Sequence, residues 1–364
     1  MKKSVCFLLS IFCFSLIFCA ERKSIENESI KAYRNALTAF DDMDYGKALK
    51  YSEDAILFRR QQIDNELEKL KKSLSSKRVH SAGDSISAIV DVLNERNENE
   101  SAAIINSYLK KKGEAYFDNS MQKLMNYMAS AKVFPEAQKI IGDVYKLEGE
   151  YQFAEEYYSL ALKNADVLDI PDEKYEILYM LADISRLKGD SAKMETRLLN
   201  ILSDDLYFKD KALTDAMLNT LRSGKQGTVE KLFMLYRANS FISIDAYNQL
   251  ARYYYDNDRK EKALQFAALS AVTTFSKIID VIKSRNSEYE YTNLSTFFQE
   301  AVFYADLVEW GSKNHAWESF NILAKYAAEM GYKAFAKELL KVLAQFSPEQ
   351  YWQRDAVLQL EYME

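Results

Sequence analysis

The chain has 364 residues and a formal net charge of −6, which argues against nucleic acid as a partner. It contains only 10 glycines and 3 prolines. Because strands and their turns would need more of these residues, the composition predicts an all-α protein. Hydrophobic residues make up 48% of the sequence, which is ample for a buried core.

The amino terminus differs from the rest of the chain. Lys2 and Lys3 precede the apolar run "SVCFLLSIFCFSLIFCA", and the charged stretch "ERKS" follows it. This order is typical of a secretory signal peptide, which we assign to residues 1–20. The apolar run is shorter than the roughly 20 residues that span a bilayer, although an uncleaved anchor is an alternative. We therefore expect export to the periplasm or the cell envelope.

Every cysteine of the chain lies in this segment: Cys6, Cys13 and Cys19. Cleavage after Ala20 would leave a mature chain without a thiol, which excludes disulfides and cysteine nucleophiles. The stretch "LIFC" resembles a bacterial lipoprotein box with Leu16 three residues before Cys19, but Phe18 stands where a small residue is expected. Ordinary cleavage and lipidation of Cys19, which would attach the amino terminus to a membrane, both stay open.

One pattern then recurs along the chain: a helix, a tight turn with Gly or Asp/Asn, and a second helix. The stretches 140–162 and 180–202 align without a gap, and similar copies lie at 36–57, 250–271 and 323–348. Their second helices carry equivalent residues, mostly alanine: Ala48, Ala154, Met194, Ala263 and Ala336. The separations of 106, 40, 69 and 73 residues are close to multiples of about 35. This spacing predicts degenerate repeats in the gaps, with 223–236 and 296–310 as candidates.

These copies resemble the tetratricopeptide repeat family, whose 34-residue unit is a helix-turn-helix. The family places a large residue, Leu-Gly and Tyr on its first helix, Ala and an aromatic residue on the second, and a closing Pro. Three units carry the match: Ile141, Gly142, Tyr145, Ala154, Tyr158 and Ala161; Tyr247, Leu250, Ala251, Tyr254 and Ala263; Leu323, Ala324, Ala336 and Pro348. The copy at 175–206 departs, because Met194 replaces the small residue.

The resemblance implies a right-handed superhelical solenoid over residues 24–364, with several repeats degenerate. Its clearest repeats are 31–58, 135–168, 175–206, 244–277 and 317–350, and 59–130 is a divergent segment with a long helix. A generic helical bundle with alanine-rich seams is the alternative.

Small residues would let two helices cross closely within a unit. We expect Gly142 to face Ala154, Ala161 to admit the next unit, and Tyr145 and Tyr158 to fill the wedge between successive pairs. The corresponding packing residues elsewhere are Ala251, Ala263, Ala324 and Ala336.

The divergent segment contains Ile63, Leu67, Leu70 and Leu74, which alternate by four and three as in a coiled-coil seam. The seam lasts under two heptads, so it predicts a long helix that projects from the first repeat and makes a packing or dimer contact. The polar stretch 94–101 predicts a loop.

No constellation of catalytic or metal-binding residues can be assembled from the sequence. The two histidines are far apart, with His80 expected in a loop and His315 at a helix start. Gly224 and Gly227 follow no strand, so they predict a turn between helices rather than a phosphate loop. We expect a protein that is not an enzyme and uses no cofactor and no metal.

What remains is the surface of the first helices, which line the concave face of a solenoid and bind partners there. Nine residues on these helices are candidates for contact with a protein or peptide: Lys139, Lys146, Tyr179, Arg186, Asn248, Arg252, Tyr255, Asn321 and Lys325. Tyr and Arg are favoured at interfaces, although each residue taken alone is equally compatible with ordinary exposed surface.

The sequence therefore predicts a non-enzymatic, exported scaffold that mediates protein–protein interactions in the bacterial cell envelope. The alternative is an accessory subunit of a transport or envelope-assembly complex, anchored to the membrane by a lipidated Cys19.

Overall fold

The computed structural model describes residues 28–236 and 241–363. This part of the chain is helical and contains no β-strand, which confirms the all-α prediction. It divides into two compact units with the boundary between Pro171 and Asp172. The predicted signal peptide and Cys19 lie outside the described residues.

The first unit contains eight α-helices in its described part. They are α1 (Glu28–Asp41), α2 (Tyr45–Leu74), α3 (Lys77–Ala82), α4 (Ile86–Glu95), α5 (Asn99–Lys112), α6 (Met121–Ser130), α7 (Pro135–Leu147) and α8 (Tyr151–Lys163).

The second unit contains twelve α-helices in its described part. They are α9 (Glu173–Leu187), α10 (Ser191–Leu202), α11 (Leu206–Lys209), α12 (Lys211–Arg222), α13 (Thr228–Phe233), α14 (Ile244–Asp256), α15 (Lys260–Arg285), α16 (Leu294–Val302), α17 (Ala305–Lys313), α18 (Ala316–Glu329), α19 (Lys333–Phe346) and α20 (Gln350–Tyr362).

Six helical hairpins of the described chain share one three-residue turn. In each turn the second residue has a positive φ: Met43, Asn97, Gly149, Gly189, Asp258 and Gly331. The next residue donates its N–H to the carbonyl five residues back, at 2.8 to 2.9 Å in all six. This bond closes the end of the first helix and fixes the direction in which the second helix leaves. The turn therefore recurs as a structural unit.

The fourth residue of every second helix in these hairpins is buried. These residues are Ala48, Ala102, Ala154, Met194, Ala263 and Ala336. Five of them are the residues that the sequence comparison treats as equivalent. The sixth, Ala102 in the hairpin α4/α5, has no counterpart in that comparison.

Gly142 of α7 lies directly against the ring of Tyr158 of α8. A Cβ atom on Gly142 would lie 2.7 Å from Cε1 of the Tyr158 ring. The Tyr158 hydroxyl donates to Asp143 at 2.6 Å, and its ring is fully buried. The residue that Gly142 admits is therefore Tyr158, while Ala154 is buried one turn earlier on α8.

Tyr145 and Tyr158 both make contacts within their own hairpin, and their expected role in the wedge between successive pairs stays a prediction. Tyr158 packs inside its own hairpin, and the Tyr145 ring stacks on Tyr157 of α8 at 5.7 Å and also lies near Phe153. Gly142 leaves room for the Tyr158 ring, whereas Tyr145 contacts the aromatic rings of Phe153 and Tyr157 on α8.

The long helix α2 belongs to two cores. Its first half packs on α1 and α7, where Ala48 joins Ala36, Ile140 and Val144. The predicted seam residues of its second half, Ile63, Leu67 and Leu70, are buried against α3 to α6. The seam is therefore a packing contact within the unit. The 106 residues from Ala48 to Ala154 contain the projecting part of α2 and one hairpin with the shared turn, α4/α5, and so do not correspond to three units of about 35 residues.

Two local predictions for this segment are wrong. His80 lies in the short helix α3 and not in a loop. The polar stretch 94–101 is a loop only from Arg96 to Glu98, since α5 begins at Asn99. The amphipathic pattern of α5, with Ala102 and Ile105 buried, extends the helix into the polar residues.

In the second unit, three hairpins pack in chain order. The helix α10 packs on α14, α15 packs on α18, and α19 packs on the last helix α20. The intervening helices pack mainly on second helices, α11 to α13 on α15 and α13 and α16 on α19. The gaps 223–236 and 296–310 thus contain short helices and not further hairpins with the shared turn. Gly224 and Gly227 lie in the connection before α13, as predicted.

Among the described residues one helix, α15, is long and apolar enough to cross a membrane. Within its apolar window 78% of the residues are buried inside the unit, as expected for a central core helix. The helix packs against six α-helices of the same unit, which are α11, α12, α13, α14, α16 and α18.

Candidate functional site

A groove of about 330 Å³ lies on the second unit between α14, α18 and α20. Its lining comprises Arg252, Tyr255 and Asp256 from α14; Glu318, Asn321, Ile322, Lys325 and Tyr326 from α18; and Tyr351, Trp352, Asp355 and Gln359 from α20. The spacing within each helix is mostly three or four residues, which places each set on one helical face. We call this site the first-helix groove.

Four of the nine candidate binding residues meet in this groove. They are Arg252, Tyr255, Asn321 and Lys325, and they come from two different hairpins. The two hairpins are brought together because α15 packs on α18, which places the first helices α14 and α18 side by side.

An aromatic pair forms the wall between α14 and α18. The rings of Tyr255 and Tyr326 stack at 4.4 Å with an interplanar angle of 4°, and Lys325 Nζ lies 5.4 Å from the Tyr255 centroid. The Tyr255 hydroxyl donates to the carboxylate of Glu329. This hydrogen bond, together with burial, raises the pKa of Tyr255 to about 12. The phenol is therefore a neutral donor at physiological pH.

A second aromatic pair lies at the edge of the groove on α20. The rings of Tyr351 and Trp352 meet edge to face at 4.6 Å. Tyr351 is 67% exposed, although it is a large apolar side chain. Exposed aromatic residues beside a concave surface are typical of protein interfaces.

The charges in the groove are largely compensated by one another. Arg252 forms an ion pair with Glu318, whose side chain is only 15% exposed. The second carboxylate oxygen of Glu318 lies 3.4 Å from His315 Nδ1. Asp355 accepts a hydrogen bond from Gln359 at 2.5 Å. With Asp256, three acidic and two basic side chains line the groove, so it is slightly acidic.

The expected exposure of Asn248 and Asn321 is wrong, because both side chains are buried, at 0% and 1% exposed. Asn248 Nδ2 donates to the carbonyl of His315 at 3.1 Å, and its Oδ1 accepts from Ser270 at 2.7 Å. Asn248 thus joins its own hairpin to the start of α18. Asn321 lines the groove, and neither atom of its amide has a hydrogen-bond partner within the described chain.

Tyr179 is a structural residue and not an exposed contact residue. Its hydroxyl donates to the carbonyl of Ile242 and accepts from the N–H of Ala246 at 3.0 Å. The ring therefore ties α9 to the segment at the start of α14. Arg186, on the same helix, is exposed and pairs with Asp183 one turn earlier.

Lys139 and Lys146 lie in the first unit, on α7. Lys139 pairs with Asp143 at 3.3 Å along the helix, and both lysines are partly buried. Neither lines the first-helix groove.

The sequence reasoning missed the contribution of α20 to the groove. Trp352, Asp355 and Gln359 lie at intervals of three and four residues and follow Pro348, where the last recognisable repeat ends. That periodicity was the available signal. It does not indicate a repeat, because α20 follows the closing Pro348 of the last recognisable unit. His315 precedes α18 as its N-terminal capping residue, as predicted.

No family model matches the chain. The chain is similar to a protein of Treponema pallidum (strain Nichols) that is described as uncharacterized. The two are 28% identical over 331 residues, which cover 89% of this chain and 87% of the relative. The similarity thus extends over both helical units. Within the described residues, no group of three or more His, Cys, Asp or Glu side chains is placed to hold a metal ion.

Proposed function

We propose that this chain is a non-enzymatic scaffold that binds protein segments in the first-helix groove of its second unit. The observation that carries the proposal is the meeting of Arg252, Tyr255 and Lys325 with the aromatic residues of α20 in one groove. Four of the nine first-helix residues that the sequence predicts for partner contact line this groove.

The composition of the groove favours a peptide or protein over a small metabolite. Its volume of about 330 Å³ is at the lower end of the range for enclosed small-molecule sites, which are also mostly apolar. Here the ion pair of Arg252 and Glu318 lies in the same groove as several aromatic rings, of which Tyr351 is exposed, and such a mixture is typical of protein interfaces. A linear segment could contact all three helices at once.

We further propose that the hairpins form a solenoid of the tetratricopeptide type. Two observations support this: the shared turn with its left-handed residue, and the buried residue at the fourth position of each second helix. The insertions on α2 and between the hairpins of the second unit would make it a strongly modified member. We expect the superhelix to be right-handed, as the family resemblance implies.

For the location we propose export to the bacterial cell envelope, supported by the apolar segment at the amino terminus. Mass spectrometry of the processed amino terminus tests this. A chain that begins near residue 21 supports a free scaffold, whereas a diacylglyceryl group on Cys19 supports the membrane-anchored accessory subunit. An intact Met1 contradicts export by cleavage.

Peptide binding is tested by selection of linear peptides from a phage-displayed library on the purified mature chain. Enriched peptides are then titrated by calorimetry against the wild type, Tyr351→Ser and Tyr362→Ser. Both tyrosines are exposed on α20, but only Tyr351 lines the groove. Loss of an aromatic interface residue commonly costs about 2 kcal/mol, so we expect Tyr351→Ser to weaken binding by roughly 30-fold and Tyr362→Ser to leave it unchanged.

Two results would overturn the proposal. One is a selection that enriches no peptide over uncoated support. The other is a set of peptides that bind Tyr351→Ser and the wild type with equal affinity, since they would then bind elsewhere.

A further inference from the structure

The face of α20 that points away from α18 and α19 carries large apolar side chains. Tyr351, Val357, Leu358 and Tyr362 are between 43% and 90% exposed, whereas Ala356 on the packed side is fully buried. Tyr351, Leu358 and Tyr362 are separated by seven and four residues, which places them on one side of the helix. Single exposed apolar residues are common on protein surfaces, but a row of them on one helix is typical of an interaction site.

The neighbouring helix α19 shows the contrast. Its exposed residues are polar or small: Lys333, Ala334, Lys341 and Gln345. Both helices pack through their buried sides, α19 on α18 and α20 on α19. A face that meets only water has no need of large apolar side chains, as α19 demonstrates, so the apolar row of α20 indicates a partner.

Two residues of opposite charge lie in the same row. Arg354 and Glu361 flank Leu358 at intervals of four and three residues, and both are exposed. They are about 10.5 Å apart along the helix axis, which is too far for an ion pair with each other. Neither forms an ion pair with another residue of the described chain. We call Tyr351, Arg354, Leu358, Glu361 and Tyr362 the outer strip of α20.

We propose that a second copy of this chain covers the outer strip, in an antiparallel pair of α20 helices related by a twofold axis. The axis passes between Val357 and Leu358, so Val357 of each copy meets Leu358 of the other. Arg354 lies three residues before Val357, and Glu361 lies three residues after Leu358. Each Arg354 therefore opposes Glu361 of the second copy, and the symmetry makes this contact twice.

The charges select the antiparallel orientation. In a parallel pair Arg354 would face Arg354 and Glu361 would face Glu361, and like charges in contact repel. In the antiparallel pair opposite charges meet on both sides of an apolar centre. The strip thus supplies both members of each ion pair, which favours a second copy over an unrelated protein as the partner.

The size of the outer strip sets the expected strength of the dimer. Stable dimers usually bury about 1,200 Å² or more in total. The helix α20 has 13 residues and is about 20 Å long, so one pair of such helices buries less than that. We expect a dimer that dissociates on dilution, with a dissociation constant on the order of 10 μM.

Sedimentation equilibrium of the mature chain from about 1 to 500 μM measures this association. Leu358→Ser removes the central apolar contact and should weaken the dimer by at least about tenfold. Leu57→Ser is the matched control, because Leu57 is 47% exposed and Leu358 is 52% exposed, but Leu57 lies on α2. The control should leave the dissociation constant unchanged.

Charge reversal tests the antiparallel register. Arg354→Glu and Glu361→Arg each bring like charges together in a homodimer, so each variant should dimerise about tenfold more weakly than the wild type. An equimolar mixture of the two variants restores both opposite-charge contacts between unlike copies. The double variant restores them between like copies. Both samples should therefore recover the association, and recovery on mixing requires contact between two molecules.

The dimer and the proposed peptide binding can be tested separately. Arg354, Leu358 and Glu361 do not line the first-helix groove, so their variants should bind the enriched peptides with wild-type affinity at concentrations where all are monomers. A wild type that sediments as a monomer over the whole range would overturn the inference. So would equal association of Leu358→Ser and the wild type, or a mixture of the two charge variants that does not recover, since the copies would then meet through another surface.

Discussion

The hairpins α14/α15 and α18/α19 share their turn, their buried alanine and a buried asparagine, yet they use the asparagine differently. In the first hairpin Ser270 and the carbonyl of His315 satisfy the amide of Asn248. In the second, Leu343 stands at the position of Ser270, and the buried amide of Asn321 has no hydrogen-bond partner within the described chain. The comparison teaches that the Asn248 amide depends on two groups, Ser270 and the carbonyl of His315, and that neither group has a counterpart beside Asn321.

The largest effect is expected from Leu343→Ser, which gives the second hairpin the residue of the first. Loss of the buried leucine should destabilise the protein by roughly 3 kcal/mol. A new hydrogen bond from the introduced serine hydroxyl to Asn321 should offset about 1 kcal/mol of this loss in the free energy of unfolding. Denaturant unfolding of Leu343→Ser, Asn321→Leu and the double variant measures this coupling. A coupling energy near zero would show that the two residues are not equivalent to Ser270 and Asn248.

A smaller effect is expected from Asn248→Leu. The substitution leaves the Ser270 hydroxyl without its asparagine partner and the His315 carbonyl without its donor, which should cost about 2 kcal/mol in the free energy of unfolding. Asn321→Leu is the matched control and should be neutral or stabilising. Equal destabilisation by the two substitutions would remove the distinction between the hairpins.

The smallest effect concerns Tyr255, which has Ala328 as its counterpart in the second hairpin. Its pKa of about 12 lies above the ordinary value of 10.0, so the folded protein holds the proton more tightly than the unfolded chain. The resulting stabilisation is fully present below pH 10 and is lost as the pH rises through 12. Tyr255→Phe should lose this contribution together with the hydrogen bond to Glu329.

Ultraviolet difference titration of wild type against Tyr255→Phe measures the pKa directly. One tyrosinate should appear in the difference spectrum near pH 12. Its appearance near pH 10 would show that the bond to Glu329 does not hold the proton in solution.

The periodic part of the fold could be read from the sequence. The five residues aligned from Ala48 to Ala336 all lie at the fourth position of a second helix, because close helix contacts constrain side-chain size at that point. The insertion on α2 could not be read in this way. Its hairpin α4/α5 has the shared turn, but the turn is formed by Asn97 and not by glycine, and its helices share a separate core with the second half of α2.

The candidate site was only partly predictable. Arg252, Tyr255 and Lys325 were found, because charged and aromatic residues on a first helix remain outside the packed face. Asn248 and Asn321 were misjudged as exposed, because a polar side chain gives no sign in sequence that it is buried. The contributions of Tyr351 and Trp352 depend on how α20 packs against α18 and α19, and this packing is a tertiary property that the local sequence does not specify.

The 30 residues of α2 form one continuous rod of about 45 Å. The two halves of α2 pack in different hydrophobic cores. Motions of the segment from α3 to α6 should therefore reach the hairpin α1/α2 through this helix. Local unfolding of α2 should begin at its Leu74 end, where Leu74 is only partly buried, and proceed towards Tyr45. Amide hydrogen exchange should therefore become slower along α2 from Leu74 towards Tyr45. The slowest exchange is expected around Ala48 and Ala55, which are fully buried.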